Sequence, residues 1–143
     1  DLDFLVVDLP PGTGDEALSI AQLAPNVSGA VIVTTPQDVA TIDSRKAVKF
    51  VEMLGFRVLG IIENMSGMVC PHCQKEIDLF GKGGGEKAAE EMGVPFLGSI
   101  PIDPEMRKAG DEGRPFIIRR GEQNPTWDAV DRVMEALVKE VES

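Results

Sequence analysis

Two stretches of the chain carry residues whose types and spacing could do chemistry. One is "CPHC", which holds the only two cysteines, Cys70 and Cys73. The other is "LVVDLPPGTGD", an apolar run that ends in Asp8 and passes into two prolines and a glycine-rich turn. A close thiol pair can ligate a soft metal or cycle through a disulfide. A carboxylate at the end of a buried strand stands at the edge where open α/β sheets bind ligands.

The Asp8 stretch has a plain reading and a chemical one. An apolar run closed by an aspartate is common, and alone it reads as a strand and an ordinary turn. The continuation through Pro10, Pro11, Gly12 and Thr13 is more specific. Gly12 offers a main-chain N–H that a terminal phosphate can approach with no side chain in the way. In phosphate-loop NTPases an aspartate so placed orients the Mg²⁺ shell.

The cysteine pair has three readings. "CPHC" matches the active site of DsbA-type thiol oxidoreductases, and "GVP" at 93–95 could pose as their cis-proline loop. That chemistry needs the first cysteine at a helix N-terminus. Here "QKEIDLFGKGGG" follows, too rich in glycine to sustain a long helix, and the order of strands is wrong for a thioredoxin fold. A structural zinc site needs about four ligands. One chain offers two thiolates and His72, which sits between the cysteines with little freedom to join them. The third reading is half a metal site, completed by the same pair from a second chain across a two-fold axis. Four thiolates suit a [4Fe-4S] cluster or zinc. The residues favour this third reading.

"GKGGGEKAAEE", 81–91, resembles the deviant phosphate-loop pattern K-G-G-x-G-K-S/T through Lys82, Gly83, Gly84 and Lys87. It fails at Glu86, where a glycine must let phosphate approach, and at Ala88, where a hydroxyl should hold Mg²⁺. It reads as a flexible turn into a helix, holding the cysteine loop. Asn64 ends "GIIEN", and "SIPID" carries Pro101 and Asp103. Both stretches are expected at carboxyl ends of strands, on the same edge as Asp8. The Asn64 amide has a donor and an acceptor, enough to read a purine edge. It serves equally well as a turn cap, and composition does not separate the two.

The elements that must position these residues follow from periodicity and punctuation. Continuous apolar runs predict strands at 4–8, 29–35, 57–64 and 95–100, each buried on both faces. Asp15 can cap a helix to about 24, closed by Pro25. Asp38 can cap a long helix to about 54, with Ala47, Phe50, Val51 and Leu54 as its apolar stripe and Gly55 as its stop. An irregular stretch, 65–85, carries the cysteines, and a short helix runs on to about 92. A helical turn is expected near 105–109. Asn124 and Pro125 open a last helix, to about 142, with Trp127, Val130, Met134, Leu137 and Val141 as its stripe. Strands alternating with helices predict one α/β domain over 1–143, a doubly wound, mostly parallel sheet with helices on both faces.

Composition agrees. The 143 residues suffice for one core, 43% are apolar, and no run approaches the roughly 18 needed to cross a bilayer. Net charge is −10, which disfavours nonspecific nucleic-acid binding and anionic membranes. The last helix carries an acidic polar face, a poor membrane anchor. With no secretion signal, a reducing, cytoplasmic setting is expected, where a close cysteine pair is more often metal-binding or redox-active than structural.

Taken in order, "DLPPGTGD", "TTPQDVATIDSRKAV", "GIIENMSG", "CPHC", "DLFGKGGGEKAAEEMGVPFLGSIPIDPEMR" and "GDEGRPF" resemble the Mrp/ApbC family over residues 2–118. These are MinD-related P-loop ATPases that carry and assemble iron–sulfur clusters. The resemblance implies a deviant-Walker P-loop fold working as a dimer, with ATP and Mg²⁺ between subunits. It implies that Asp8 positions Mg²⁺ and that Pro10, Pro11, Gly12 and Thr13 belong to the switch that senses the γ-phosphate. Asn64 matches the adenine-recognising position, and Pro101 to Asp103 a loop near the base. Cys70 and Cys73 match the pair that bridges a [4Fe-4S] cluster, or zinc in its place, across the homodimer, for delivery to apo iron–sulfur proteins. The signature lysine loop is absent, so the chain is expected to be the C-terminal part of a longer protein and, by itself, inactive as an ATP hydrolase. The rival functions are a MinD/ParA-like positioning ATPase, which does not need "CPHC", and a zinc-bridged dimerisation module.

Overall fold

The computed structural model describes residues 2–10, 14–24, 26–70, 72–73, 75–115 and 124–143. Five helices and five strands are found among them: α1 (Asp15–Leu23), β1 (Ala30–Thr34), α2 (Asp38–Met53), β2 (Val58–Asn64), β3 (Met68–Val69), β4 (Glu76–Ile77), α3 (Gly84–Met92), β5 (Phe96–Ile100), α4 (Pro104–Asp111) and α5 (Pro125–Glu142). Three strands form a parallel sheet in the order β1-β2-β5, with Ile32 opposite Ile61 and Ile61 opposite Phe96. Strands β3 and β4 make a separate antiparallel hairpin inside the stretch expected to be irregular.

The core forms where α2 and α3 cover β1 and β2. Ile32, Val48, Val51, Val58, Ile61, Ala88 and Ala89 cluster there, and Phe56, Met92 and Phe96 pack on the rim. Val48 and Ile61 lose all contact with water, worth roughly 1.5–3 kcal/mol each. Helix α5 packs on β5 and β2 from the other face. It comes close because Gly98 has no side chain: a Cβ there would lie 2.9 Å from Val133 Cγ2. The buried stripe of α5 is therefore centred on Thr126, Trp127, Ala129 and Val133, and Met134, expected in the stripe, is exposed.

Two expectations are corrected. Residues 4–8 form no strand, and the whole of 2–10 is exposed, with Leu5 at 80% and Val6 at 84%. A parallel strand is held by bonds to neighbouring strands and by helices over its faces. Among the described residues the 2–10 segment has neither. Asp15 and Asp38 are first-turn residues rather than caps: Gly14 and Gln37 hold the cap positions. An acid one residue further in still favours the helix through its dipole.

Two helix starts are joined. Asp103 Oδ1 accepts from Glu105 N–H at 2.8 Å, capping α4. Asn124 Oδ1 accepts from Thr126 N–H at 2.8 Å, capping α5, while its Nδ2 donates to Asp103 Oδ2 at 3.1 Å. Partial burial pushes the Asp103 pKa up, but the hydrogen bonds from Asn124, Glu105, Thr126 and Met106 outweigh it and hold the value below the ordinary aspartate range. A carboxylate with a depressed folded pKa adds stability above its unfolded value and loses it as pH falls through the folded one. Asp103→Ala is expected to lower unfolding free energy by about 1 kcal/mol near neutral pH. In urea denaturation the difference should shrink as pH falls below the ordinary aspartate value, about 3.9. A gap unchanged by that fall would remove the charge from the explanation.

Candidate functional site: the cysteine hairpin and the carboxyl edge of the sheet

Strands β2 and β5 end side by side, with Asn64 opposite Ile100. The chain does not part there. Ser66 N–H donates to Ile100 O at 3.0 Å and Ile102 N–H to Gly67 O at 2.8 Å, so 64–67 runs alongside 100–102. Asn64 and the Pro101–Asp103 stretch thus share one edge, as expected from sequence. Asp8 does not join them, because 2–10 lies outside the sheet. Pro10 is exposed, and Pro11, Gly12 and Thr13 lie outside the described residues. Asn64 Oδ1 accepts from Met65 N–H at 2.9 Å, the turn-cap use of its amide. Met65 takes φ 59°, a left-handed conformation costly for a residue with a side chain. The described residues therefore bring Asn64 and the Pro101–Asp103 stretch together without Asp8.

The cysteines sit at the tip of the β3–β4 hairpin. Cys70 N–H donates to Lys75 O at 2.9 Å and closes the tip. Both thiols are free; Cys70 is half-buried, and Cys73 and His72 are exposed. Among the described residues no group of three or more His, Cys, Asp or Glu side chains converges to hold a metal. The tip is not a helix N-terminus, so the local geometry of a DsbA-type site is absent. Main-chain hydrogen bonds from Cys73 and then His72, with one from the Cys73 side chain, lower the Cys70 pKa against a weaker upward push from burial. A lowered thiol pKa means that thiolate, the form that binds metal, persists to lower pH. The hairpin and the segment that follows it expose Val69, Ile77, Leu79 and Phe80.

The return from the hairpin is built, where a flexible turn was expected. Gly83 takes φ 77° and caps α3, and a Cβ at Gly85 would lie 2.9 Å from Glu63 Cβ and 3.1 Å from Thr34 Cγ2. The glycines let the helix start press against the ends of β1 and β2. Glu63, which sequence reasoning passed over for its neighbour Asn64, is fully buried there. Its Oε2 accepts from Gly85 N–H at 2.6 Å, and its Oε1 from Gly83 N–H at 2.9 Å and Ser66 Oγ–H at 2.6 Å. The signal that could have found it is a lone charge inside "VLGIIEN". It also explains the near-miss phosphate loop: the anion at this helix start is the protein's own carboxylate.

The comparisons with known proteins fit this arrangement. Residues 1–138 match the family described as "ParA: NUBPL iron-transfer P-loop NTPase". The chain belongs to this family. The iron-sulfur cluster carrier protein of Methanocaldococcus jannaschii is 54% identical over 118 residues, 82% of this chain and 41% of that protein. The cytosolic Fe-S cluster assembly factor NUBP2 of Gallus gallus is 47% identical over 140 residues, 96% of this chain and 51% of that protein. The crystal structure of an Archaeoglobus fulgidus nucleotide-binding protein in complex with ADP superposes with TM-score 0.69 at 42% identity, covering 89% of this chain and 50% of that one. The chain spans about half the length of the proteins it matches, or less. As an iron-transfer P-loop NTPase family member it has the expected fold class, a parallel α/β sheet with helices on both faces. Among the described residues no helix is long and apolar enough to cross a membrane.

In metal-free chain, the pH profile of Cys70 alkylation, followed by mass spectrometry in Cys73→Ser, should rise at lower pH than that of a free cysteine peptide. That variant replaces the second thiol with a hydroxyl and keeps the residue 73 main-chain N–H. A coincident profile would mean that the main-chain hydrogen bonds do not stabilise the thiolate.

Proposed function

We propose that this chain provides half of a shared thiolate site that carries an iron–sulfur cluster as cargo. Cys70 and Cys73 supply two ligands, and the same pair from a second copy supplies two more. Four thiolates suit a [4Fe-4S] cluster, with zinc as the competing occupant. The observation that carries the reading is the pair itself: two free thiols on the tip of a hydrogen-bonded hairpin, one with a lowered pKa, with exposed apolar side chains on the same excursion. Those side chains suit contact with a second copy of the chain.

The relatives, an iron-sulfur cluster carrier protein and a cytosolic Fe-S cluster assembly factor, support a carrier whose cluster goes on to apo iron–sulfur proteins, in the cytoplasm. Dependence on ATP belongs to the same proposal. Asn64 and the Pro101–Asp103 stretch are the positions we assign to the adenine base. The Asn64 amide nitrogen is the group suited to a base acceptor, since its carbonyl already holds Met65. Asp8, Pro10, Pro11, Gly12 and Thr13 are assigned to Mg²⁺ and the γ-phosphate on the family resemblance alone.

Anaerobic reconstitution with iron and sulfide tests the cargo. The chain is expected to take up both, to show the broad visible absorption of a cluster, and to run as a dimer when loaded. Cys70→Ser with Cys73→Ser should reduce bound iron and sulfide to background and leave the loaded sample monomeric. Unchanged iron and sulfide in that double variant would sink the cluster role. Colourless protein with one zinc per two chains would replace it with a zinc-bridged dimer.

A further inference from the structure

The cysteine hairpin leaves the sheet at Ser66 and returns at Gly83. One side chain touches both points. Glu63 is the last buried residue of β2 and the one charged residue in that strand. A carboxylate taken out of water costs several kcal/mol unless its oxygens find donors. It finds three. Ser66 Oγ–H, at 2.6 Å, lies at the hairpin's exit, and Gly83 and Gly85 N–H, at 2.9 and 2.6 Å, lie at its return. The two glycine donors belong to the start of α3, whose first N–H groups have no partner within the helix. No side chain at the cap position itself serves them.

We propose that Glu63 is the positioning residue of the cysteine hairpin. By binding exit and return with one carboxylate, it fixes the height and tilt at which Cys70 and Cys73 face a second copy. The claim rests on the cluster-carrier reading above. The requirement is chemical as well as steric. All three partners donate, so all need an acceptor, and only a carboxylate offers an acceptor on both sides of the same carbon. A glutamine of equal size must turn an NH₂ group toward either Gly85 N–H or the Ser66 and Gly83 pair. The other anchors of the hairpin base are the two main-chain bonds to Ile100 and Ile102 and the Lys82–Glu76 ion pair. The main-chain bonds fix the exit, and the ion pair joins residues within the excursion. The β3–β4 ladder joins the two arms further out, and at the base Glu63 ties Ser66 at the exit to Gly83 and Gly85 at the return.

The test is Glu63→Gln in the full chain, with Ser66→Ala as a milder variant that removes one donor and leaves the α3 start bonded. In metal-free protein, hydrogen exchange at Gly83 and Gly85 should speed up by about tenfold or more in Glu63→Gln. The Ile61 amide, which donates to Pro95 O in the sheet, should keep wild-type protection. After reconstitution, transfer of iron to an external chelator should be faster by a similar factor, and the visible spectrum should change shape. Ser66→Ala should speed chelation to a smaller degree. Wild-type chelation rate and spectrum in a folded Glu63→Gln would overturn the positioning role. If Glu63→Gln does not fold, Ser66→Ala decides: a wild-type chelation rate in that variant overturns the proposal. A wild-type chain that binds no cluster would instead defeat the carrier reading. The exchange comparison in metal-free protein would still decide whether Glu63 holds the hairpin.

Discussion

A charge in the dry centre of a small domain dominates this fold. Burying the Glu63 carboxylate is tolerable only because three donors reach it and a helix start points its dipole there. Those donors come from both ends of the cysteine hairpin, so the sheet core cannot form at low cost while the hairpin base is open. The glycines of "GKGGG" follow from the same constraint. A side chain at Gly85 would collide with Glu63 and Thr34, so the helix could not come near enough to donate. A run that looks like loose linker is therefore among the tightest packing in the chain.

The sheet shows what happens where such mutual support is missing. β2 has strands on both edges, α2 and α3 on one face and α5 on the other, and most of its residues are buried. β1 has a described neighbour on one edge only, and Val33 is 61% exposed. The apolar run at 4–8 has no described neighbour and is left in water. Its side chains are as hydrophobic as those of β2. The difference lies in partners, since burial needs a surface on the other side and a strand needs a second strand to bond to.

That contrast explains how much could be read in advance. β1, β2, β5, α2, α3 and α5 were legible because apolar period and the Gly and Pro stops agreed within a residue or two. The caps at Asp15 and Asp38 slid by one place because an acid favours a helix start from the first turn as well as from the cap. The 4–8 strand was illegible because periodicity states what a segment would bury, not whether anything receives it. The site divided likewise. Cys70, Cys73, Asn64 and Asp103 announced themselves by type and spacing. Glu63 did not, because its partners are main-chain N–H groups some twenty residues on, and main-chain donors leave no mark in a sequence.

Charge decides whether two copies could meet at the thiols. Each chain carries −10 overall, which opposes association. Within 68–82, however, Lys75 and Lys82 balance Glu76 and Asp78, and Lys82 pairs with Glu76 directly. At physiological salt, charges beyond roughly 8 Å are largely screened. Two hairpins meeting tip to tip would therefore feel little of the acidic bodies behind them. What remains at the tip is the two thiol pairs and the exposed apolar side chains of Val69, Ile77, Leu79 and Phe80. Thiolates bound to a cationic iron–sulfide core or a zinc ion are neutralised by it, so cargo draws the two pairs together and an empty site does not. On the proposed reading, contact between copies and possession of cargo are then linked by the same charges, and a hairpin held rigidly at its base is what lets so small a contact be specific.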